Sequence, residues 1–401
     1  MAILTVEQKL NELQKTLNEG EKKFGKGTYQ VGSDKIIPTQ IVCSTGSLSL
    51  DAAIGIGGYP KGRNIEVGGQ ESSGKTTLSL LAVAEVQRSG GLCFFCDAEQ
   101  SFDPVYAARL GVDNKSLIKF QPDDAEMAYE LVDDLASSNL VSFGVVDSTS
   151  TLIPRSEVAG EYGDAQMGLQ ARLLSQALRK LNPVIAKSGT TIYWISQIRS
   201  KIGGYGNPDV VGVGNAMRFY ASVRIKTSKE EVQKTDEEGQ ESVIIKCHVF
   251  KNKVASPFKT GRFTLLTGVN GEYGLDTYQE ILDYGVKYDL INKAGAWYSC
   301  GNDRIGQGKE NAKKWLKENN ETFIRIKKTI SEKLLAENFN DVDPSSFQAT
   351  VDNMTNEIEK PKKARREKVV DKEQTIPDNV DTETGEIKEE VKEEIKKDIS
   401  E

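Results

Sequence analysis

Histidine is nearly absent from this sequence: His248 is the only one in 401 residues. That excludes His-rich metal centres and argues against Ser-His-Asp chemistry. Cysteine is sparse as well, five residues in all, an odd number and widely scattered. Such usage fits reduced thiols in a cytoplasm and not a disulfide framework. Cys93-Phe94-Phe95-Cys96 has C-x-x-C spacing, but zinc needs about four ligands. Residues 92–96 also read as a buried strand, so these two are expected to be core thiols. No apolar run approaches a membrane-spanning length, and the first residues lack the basic-then-apolar order of a signal peptide. The expected setting is cytoplasmic, with no membrane partner.

Net charge is missing from most of the chain. Residues 1–370 carry 47 charges of each sign, whereas residues 371–401 hold 12 acidic and 5 basic side chains, and so the entire net charge of −7. Aromatic residues stop at Phe347. Beyond about 340, charge dominates and periodicity fades, which predicts a disordered tail over 339–401.

What is present is a phosphate loop. Gly69-Gln70-Glu71-Ser72-Ser73-Gly74-Lys75-Thr76-Thr77 matches G-x-x-x-x-G-K-[ST]. Small residues let successive backbone N–H groups converge on a β-phosphate, and Gly74 allows close approach. Lys75 would place a point charge on the β- and γ-phosphates, and the Thr76 hydroxyl can bind Mg²⁺. A strand-like stretch at 64–67 precedes the loop, and helical apolar spacing over 76–88 follows it. The phosphates would therefore meet a helix N-terminus.

Val6, Leu10, Leu13 and Leu17 open the chain at helical spacing. Their stripe must be buried on the same chain or on a neighbour. From 41 to about 269, strand-like runs at 92–96, 117–120, 142–146 and 190–195 alternate with helical runs at 124–137 and 169–187. That alternation predicts an α/β fold, a mostly parallel central sheet with helices on both faces. Two stretches interrupt it, 154–168 and the glycine-rich 198–214. Strands at 221–227 and 243–250 flank a turn at 236–239, predicting an antiparallel edge hairpin. Residues 276–335 read as a small α+β module.

Three strand ends carry groups that the phosphate loop could use. Asp147 closes the 142–146 run and could hold Mg²⁺ together with Thr76. Glu99, just after the 92–96 strand, could orient or deprotonate a water attacking the γ-phosphate. Gln197 could bond that phosphate and register its loss. Each is also the kind of polar residue that ordinarily ends a strand.

Several segments together resemble the bacterial RecA recombinases: Ser44–Asp51, Gly69–Thr77, Asp97-Ala98-Glu99, Gly163–Leu169, Phe219–Arg224, Lys251–Lys259 and Ala294–Tyr298. The similarity runs in order from about Phe24 to Leu335. It implies a RecA-like ATPase core, ATP and Mg²⁺ as cofactors, and filaments on single-stranded DNA that pair it with homologous duplex. Recombination, repair and the SOS response to DNA damage are the implied setting. By resemblance, Glu99 activates water and Gln197 senses the γ-phosphate, while Asp103 and Tyr106 contact adenine. Lys251 and Lys253 reach the γ-phosphate of the adjacent subunit. The stretches 154–168 and 198–214, with Ile198, Arg199 and Gly214 in the second, face DNA. Met167 wedges between bases, and Arg172, Ser175, Arg179 and Asn215 lie near phosphates. Gln70 replaces the proline usual in the family, and Thr267 stands where members commonly carry an aromatic near the adenine.

The resulting organisation has four parts. Residues 1–35 form a docking helix and linker, 36–272 the ATPase core with its DNA-binding loops, 273–338 a small α+β C-terminal domain, and 339–401 the tail. Two other readings use the same loop: a hexameric helicase-type motor, and a binding module with a degenerate nucleotide site. The density of recombinase-like segments opposes the first, and intact Lys75, Thr76, Glu99 and Asp147 oppose the second.

Overall fold

A computed structural model of the chain describes residues 5–25, 39–161, 168–200, 209–211, 215–234, 241–268 and 273–338. The expected tail, Met167, Gly214 and the turn at 236–239 lie outside the described residues.

The central sheet runs in the order Tyr273–Leu275, Thr260–Thr267, Glu241–Asn252, Val223–Lys234, Asn64–Gly69, Thr191–Ser200, Val141–Asp147, Leu92–Asp97, Leu117–Phe120. From Val223–Lys234 to Leu117–Phe120 all neighbours are parallel, and the strands before them are antiparallel. Side chains alternate across this sheet, which explains the C-x-x-C. Phe94 and Cys96 join a buried cluster with Ala128, Val132, Leu174 and Leu178, from helices Ala125–Ser137 and Leu169–Ser188. Cys93 faces the other way, where its Sγ meets the Val83 carbonyl of helix Lys75–Arg88. Helices therefore cover both faces, and both thiols are buried as expected.

The hairpin expected at the sheet edge is there, but it is not the edge. Strand Val223–Lys234 pairs with Glu241–Asn252, which pairs in turn with Thr260–Thr267 and then Tyr273–Leu275. Phe263 and Leu265 are buried, and that alternate burial drives the extension. The stretch 198–214 is likewise not all loop, since Ile198, Arg199 and Ser200 pair antiparallel with Val211, Val210 and Asp209.

Helix Val6–Phe24 begins at a Thr5/Gln8 capping box, which satisfies two otherwise orphan N–H groups. Its Val6 and Leu13 side chains are exposed. At the other end, helix Thr277–Lys287, a three-stranded antiparallel sheet (Asn292–Ala294, Trp297–Cys300, Asp303–Gln307), helix Lys309–Glu318 and helix Asn320–Asn338 form the small module. Its core includes Ile281, Tyr298, Leu316, Ile326 and Ile330. Helix Asn320–Asn338 was not among the expected elements. Its buried face carries Lys327 and Ser331 among the apolar residues, which blurs the stripe.

Candidate active site

Strand Asn64–Gly69 enters the loop and helix Lys75–Arg88 leaves it, with Gly74 in the left-handed region at φ 83° as the residue before the helix. Glycine is required at the entrance as well. A β-carbon on Gly69 would lie 2.1 Å from Thr227 Oγ1 and 2.3 Å from Ser73 Oγ. These two hydroxyls are 2.8 Å apart, and Ser73 also donates to the Gln70 carbonyl at 2.7 Å. The loop is thus braced from the neighbouring strand by Thr227, a residue the sequence pattern did not single out.

Lys75 Nζ folds over the loop and donates to the Gln70 carbonyl at 2.7 Å. Burial pulls its pKa below the usual lysine range, against the attraction of Asp147, Glu99 and Glu71. Thr76 Oγ1 donates to Asp147 Oδ2 at 2.7 Å. Burial pushes Asp147 up to about 6; the Thr76 bond opposes this and the nearby Glu99 carboxylate adds to it. A hydroxyl beside a desolvated carboxylate is a donor pair suited to a hard divalent cation.

Asp97 ends strand Leu92–Asp97 and Glu99 follows two residues later, and the fold gives them different tasks. Asp97 accepts from the backbone of Ser101 and Phe102 and from Gln121 Nε2 at 2.8 Å, shaping the turn. Glu99 Oε1 instead accepts from Ser148 Oγ at 2.6 Å and Gln197 Nε2 at 3.0 Å. The backbone N–H groups of Ala98 and Glu99 both reach the Asp147 carbonyl, so two strand ends are tied together. Three expected residues, Glu99, Asp147 and Gln197, thus gather beside Lys75 and Thr76. Ser148 was missed, although it directly follows Asp147.

One residue further along the helix than Thr76, Thr77 Oγ1 and Tyr106 Oη are 2.9 Å apart. Asp103 caps the short helix Pro104–Arg109 through the N–H groups of Val105 and Tyr106.

The other expected groups lie away from this cluster. Lys251 Nζ donates to the Arg218 carbonyl at 2.5 Å, and Lys253 Nζ to the Phe219 carbonyl at 3.2 Å. Lys251 pairs across the sheet with Arg224, and Arg224 with Glu66, three residues before Gly69. Burial, with Lys253 and Arg224 as like-charged neighbours, lowers Lys251 to about 8. Arg172, Ser175 and Arg179 share one face of helix Leu169–Ser188, with both arginines exposed. Asn215 is exposed and accepts from Arg218. Ile198 and Arg199 lie on the ribbon that continues from Gln197.

Among the described residues no helix is long and apolar enough to cross a membrane. The family model described as the RecA N-terminal domain matches residues 11–271, and that of the RecA C-terminal domain matches 279–335. Protein RecA of Desulforapulum autotrophicum is 48% identical over 335 residues, covering 83% of this chain and 94% of the relative. Protein RecA of Campylobacter hominis is 46% identical over 333 residues, covering 82% and 94% respectively. With the phosphate loop, its acidic strand ends and both family domains in order, the chain belongs to the RecA family.

Proposed function

We propose that this protein is a DNA-dependent ATPase that forms helical filaments on single-stranded DNA and carries out homologous pairing and strand exchange in recombination and repair. The observation carrying the site assignment is the Glu99 carboxylate, held by Gln197 and Ser148 next to the Thr76–Asp147 pair. In this reading the Gly69–Thr77 backbone cradles the phosphates of ATP, and Lys75 leaves the Gln70 carbonyl for them. Thr76 and Asp147 would hold Mg²⁺. Among the described residues no cluster of three or more His, Cys, Asp or Glu forms a cage, which suits an ion that completes its shell with phosphate and water oxygens. Such an ion neutralises phosphate charge when bound.

Glu99 takes the proton of the attacking water. Gln197 shares that carboxylate and starts the ribbon of Ile198, Arg199 and Ser200, so a change at the γ-phosphate side passes along one strand toward the DNA-facing stretch. Arg172, Ser175, Arg179 and Asn215 supply polar contacts to the DNA backbone, and Met167 and Gly214, which lie outside the described residues, are assigned to DNA contact by the family resemblance. Lys251 and Lys253 serve the adjacent subunit's nucleotide as trans-acting cations. The exposed ring of Phe219, whose carbonyl takes Lys253, fits a subunit contact there. The exposed Val6 and Leu13 of helix Val6–Phe24 support docking on a neighbour, and the division at 35, 272 and 338 belongs to the same proposal, with strand Tyr273–Leu275 still paired to the central sheet. A cytoplasmic setting and a part in the SOS response belong to the same proposal.

Glu99→Gln keeps the shape and removes the base, so it retains ATP and DNA binding while turnover falls at least about 100-fold. Near-normal turnover would overturn the assignment. Mixing Lys251→Ala/Lys253→Ala protein with Lys75→Ala protein restores part of the activity at mixed interfaces. No rescue in filaments shown to be mixed would refute a shared site.

A further inference from the structure

Two donors share the Gln70 carbonyl inside the phosphate loop: Lys75 Nζ and Ser73 Oγ, each at 2.7 Å. A hydroxyl has one proton to give. With that of Ser73 committed to Gln70, the 2.8 Å contact between Ser73 Oγ and Thr227 Oγ1 takes its proton from Thr227. The Gly68 carbonyl, another acceptor for that hydroxyl, is more distant at 3.4 Å. The protons therefore run one way, from Thr227 to Ser73 and from Ser73 to Gln70. Bonds in such a chain polarise and strengthen one another.

Both hydroxyls are shut off from water, since Thr227 and Ser73 are buried. Thr227 lies within strand Val223–Lys234, which is paired on both sides. Gly69 stands opposite it on the phosphate-loop strand, and Cys247 on the other neighbour. The absence of a side chain at Gly69 is what lets the two hydroxyls meet. Valine has the shape of threonine and suits a buried strand as well, so the hydroxyl is what distinguishes position 227. The chain thus runs from the interior of the sheet to the carbonyl that holds Lys75. When Lys75 leaves for the phosphates, that carbonyl loses one of its two donors. Ser73, anchored by Thr227, is then the donor that keeps the Gln70 peptide turned into the loop.

We propose that Thr227 is a positioning residue for phosphate binding: through Ser73 it holds the loop in its phosphate-accepting shape once Lys75 has released Gln70. This inference rests on the nucleotide reading of the loop given above and adds the sheet residue that sets its geometry. Thr227 acts through Ser73 and needs no contact with the nucleotide.

The test measures ATP and inorganic tripolyphosphate on the full-length protein, each competing with a fluorescent ADP analogue. Thr227→Val removes the hydroxyl at constant shape and weakens both probes about fivefold, the effect of one buried hydrogen bond. In turnover with saturating single-stranded DNA, KM for ATP rises by the same factor while kcat stays within about twofold. Thr227→Ser keeps the hydroxyl and stays within about twofold of the unaltered protein in binding, which separates the bond from packing. Ser73→Ala cuts the same chain on the loop side and gives a similar loss. Adding Thr227→Val to it costs nothing further, because two breaks in one chain do not add. Should Thr227→Val fail to fold, Ser73→Ala and Thr227→Ser carry the test, with loss expected in the first and not in the second. Unchanged affinity in Thr227→Val, or in Ser73→Ala, would overturn the proposal. So would losses that add in full in the double variant, or a loss confined to ATP. Lys75→Ala is the control on the parent reading. If it leaves tripolyphosphate binding intact, the loop assignment fails, whatever Thr227 does.

Discussion

The most consequential side chains outside the site are buried charges in the sheet. Glu66 is fully buried on the strand that leads into the phosphate loop, pairs with Arg224 and accepts from Ser196 Oγ at 3.0 Å. Burial still raises its pKa, against the pull of Arg224. Arg224 also lies over the Phe250 ring at 4.7 Å and is the cross-strand partner of Lys251. Removing one partner strands a desolvated charge, so Arg224→Met should cost about 3–5 kcal/mol. Adding Glu66→Leu should recover most of it in urea titrations. If the single and double variants unfold at the same urea concentration, the pair is not the cause. A second residue-scale prediction concerns packing. A β-carbon on Gly144 would lie 2.0 Å from Phe94 Cζ, so Gly144→Ala should destabilise by about 1–3 kcal/mol. Adding Phe94→Leu should relieve part of that. Neither pair was legible in the sequence, where Glu66 and Arg224 stand 158 positions apart.

At the scale of elements, the C-terminal module is joined to the core through buried ionisable groups. The Glu280 carboxylate sits on the N-terminus of helix Leu48–Ile54, accepting from Ser47 Oγ at 2.7 Å and from the N–H groups of Leu48 and Ser49. Asp51 on that helix accepts from Ser44 Oγ and Thr45 N, and Lys327 and Glu85 face the same region. Burial pushes both Asp51 and Glu280 up to about 7, and pulls Lys327 below the usual lysine range. The sign follows from proton binding. A carboxyl raised in the folded state binds protons more tightly there than when unfolded. Its stability contribution is complete below about pH 4 and is lost as pH rises to about 7. Glu280→Gln should therefore flatten the fall in stability between pH 5 and 7.5 by up to about 3 kcal/mol. Parallel pH profiles for the variant and the unaltered protein would refute this. The first helix makes a separate prediction. Deleting residues 1–23 removes the exposed Val6 and Leu13 and should shorten filaments in electron micrographs while ATP affinity stays within about twofold. Long filaments from the truncated protein would show that the stripe is no docking face. The helix was legible from its spacing, and its exposure was not, because a period does not say what lies opposite.

For the whole molecule the governing quantity is charge. Residues 371–401 hold all of the net −7, while the remainder is balanced. A tethered anionic segment competes with DNA for the same cations, and salt screens both. Truncation after Val370 should strengthen DNA binding, above all to duplex, at low ionic strength, with the gain shrinking as salt rises. Superimposable titrations of full-length and 1–370 protein at every salt concentration would rule this out.

By itself the sequence determined the phosphate loop, the alternating parallel core, the acidic strand ends and the imbalance of the tail. Each of these is written in short-range spacing or in composition, and local geometry converts both directly into structure. Tertiary structure alone decided which acid does what. Asp97 and Glu99 are two positions apart, and only the approach of Gln121 to one and of Ser148 and Gln197 to the other separates a turn-former from a candidate base. It also decided that the hairpin is continued by two further strands, that Tyr273 meets Tyr106, and that Glu280 caps a helix 232 residues earlier. Contacts of this kind depend on how strands order themselves in the sheet and which faces meet. A periodic pattern specifies that a face is buried but not which partner buries it.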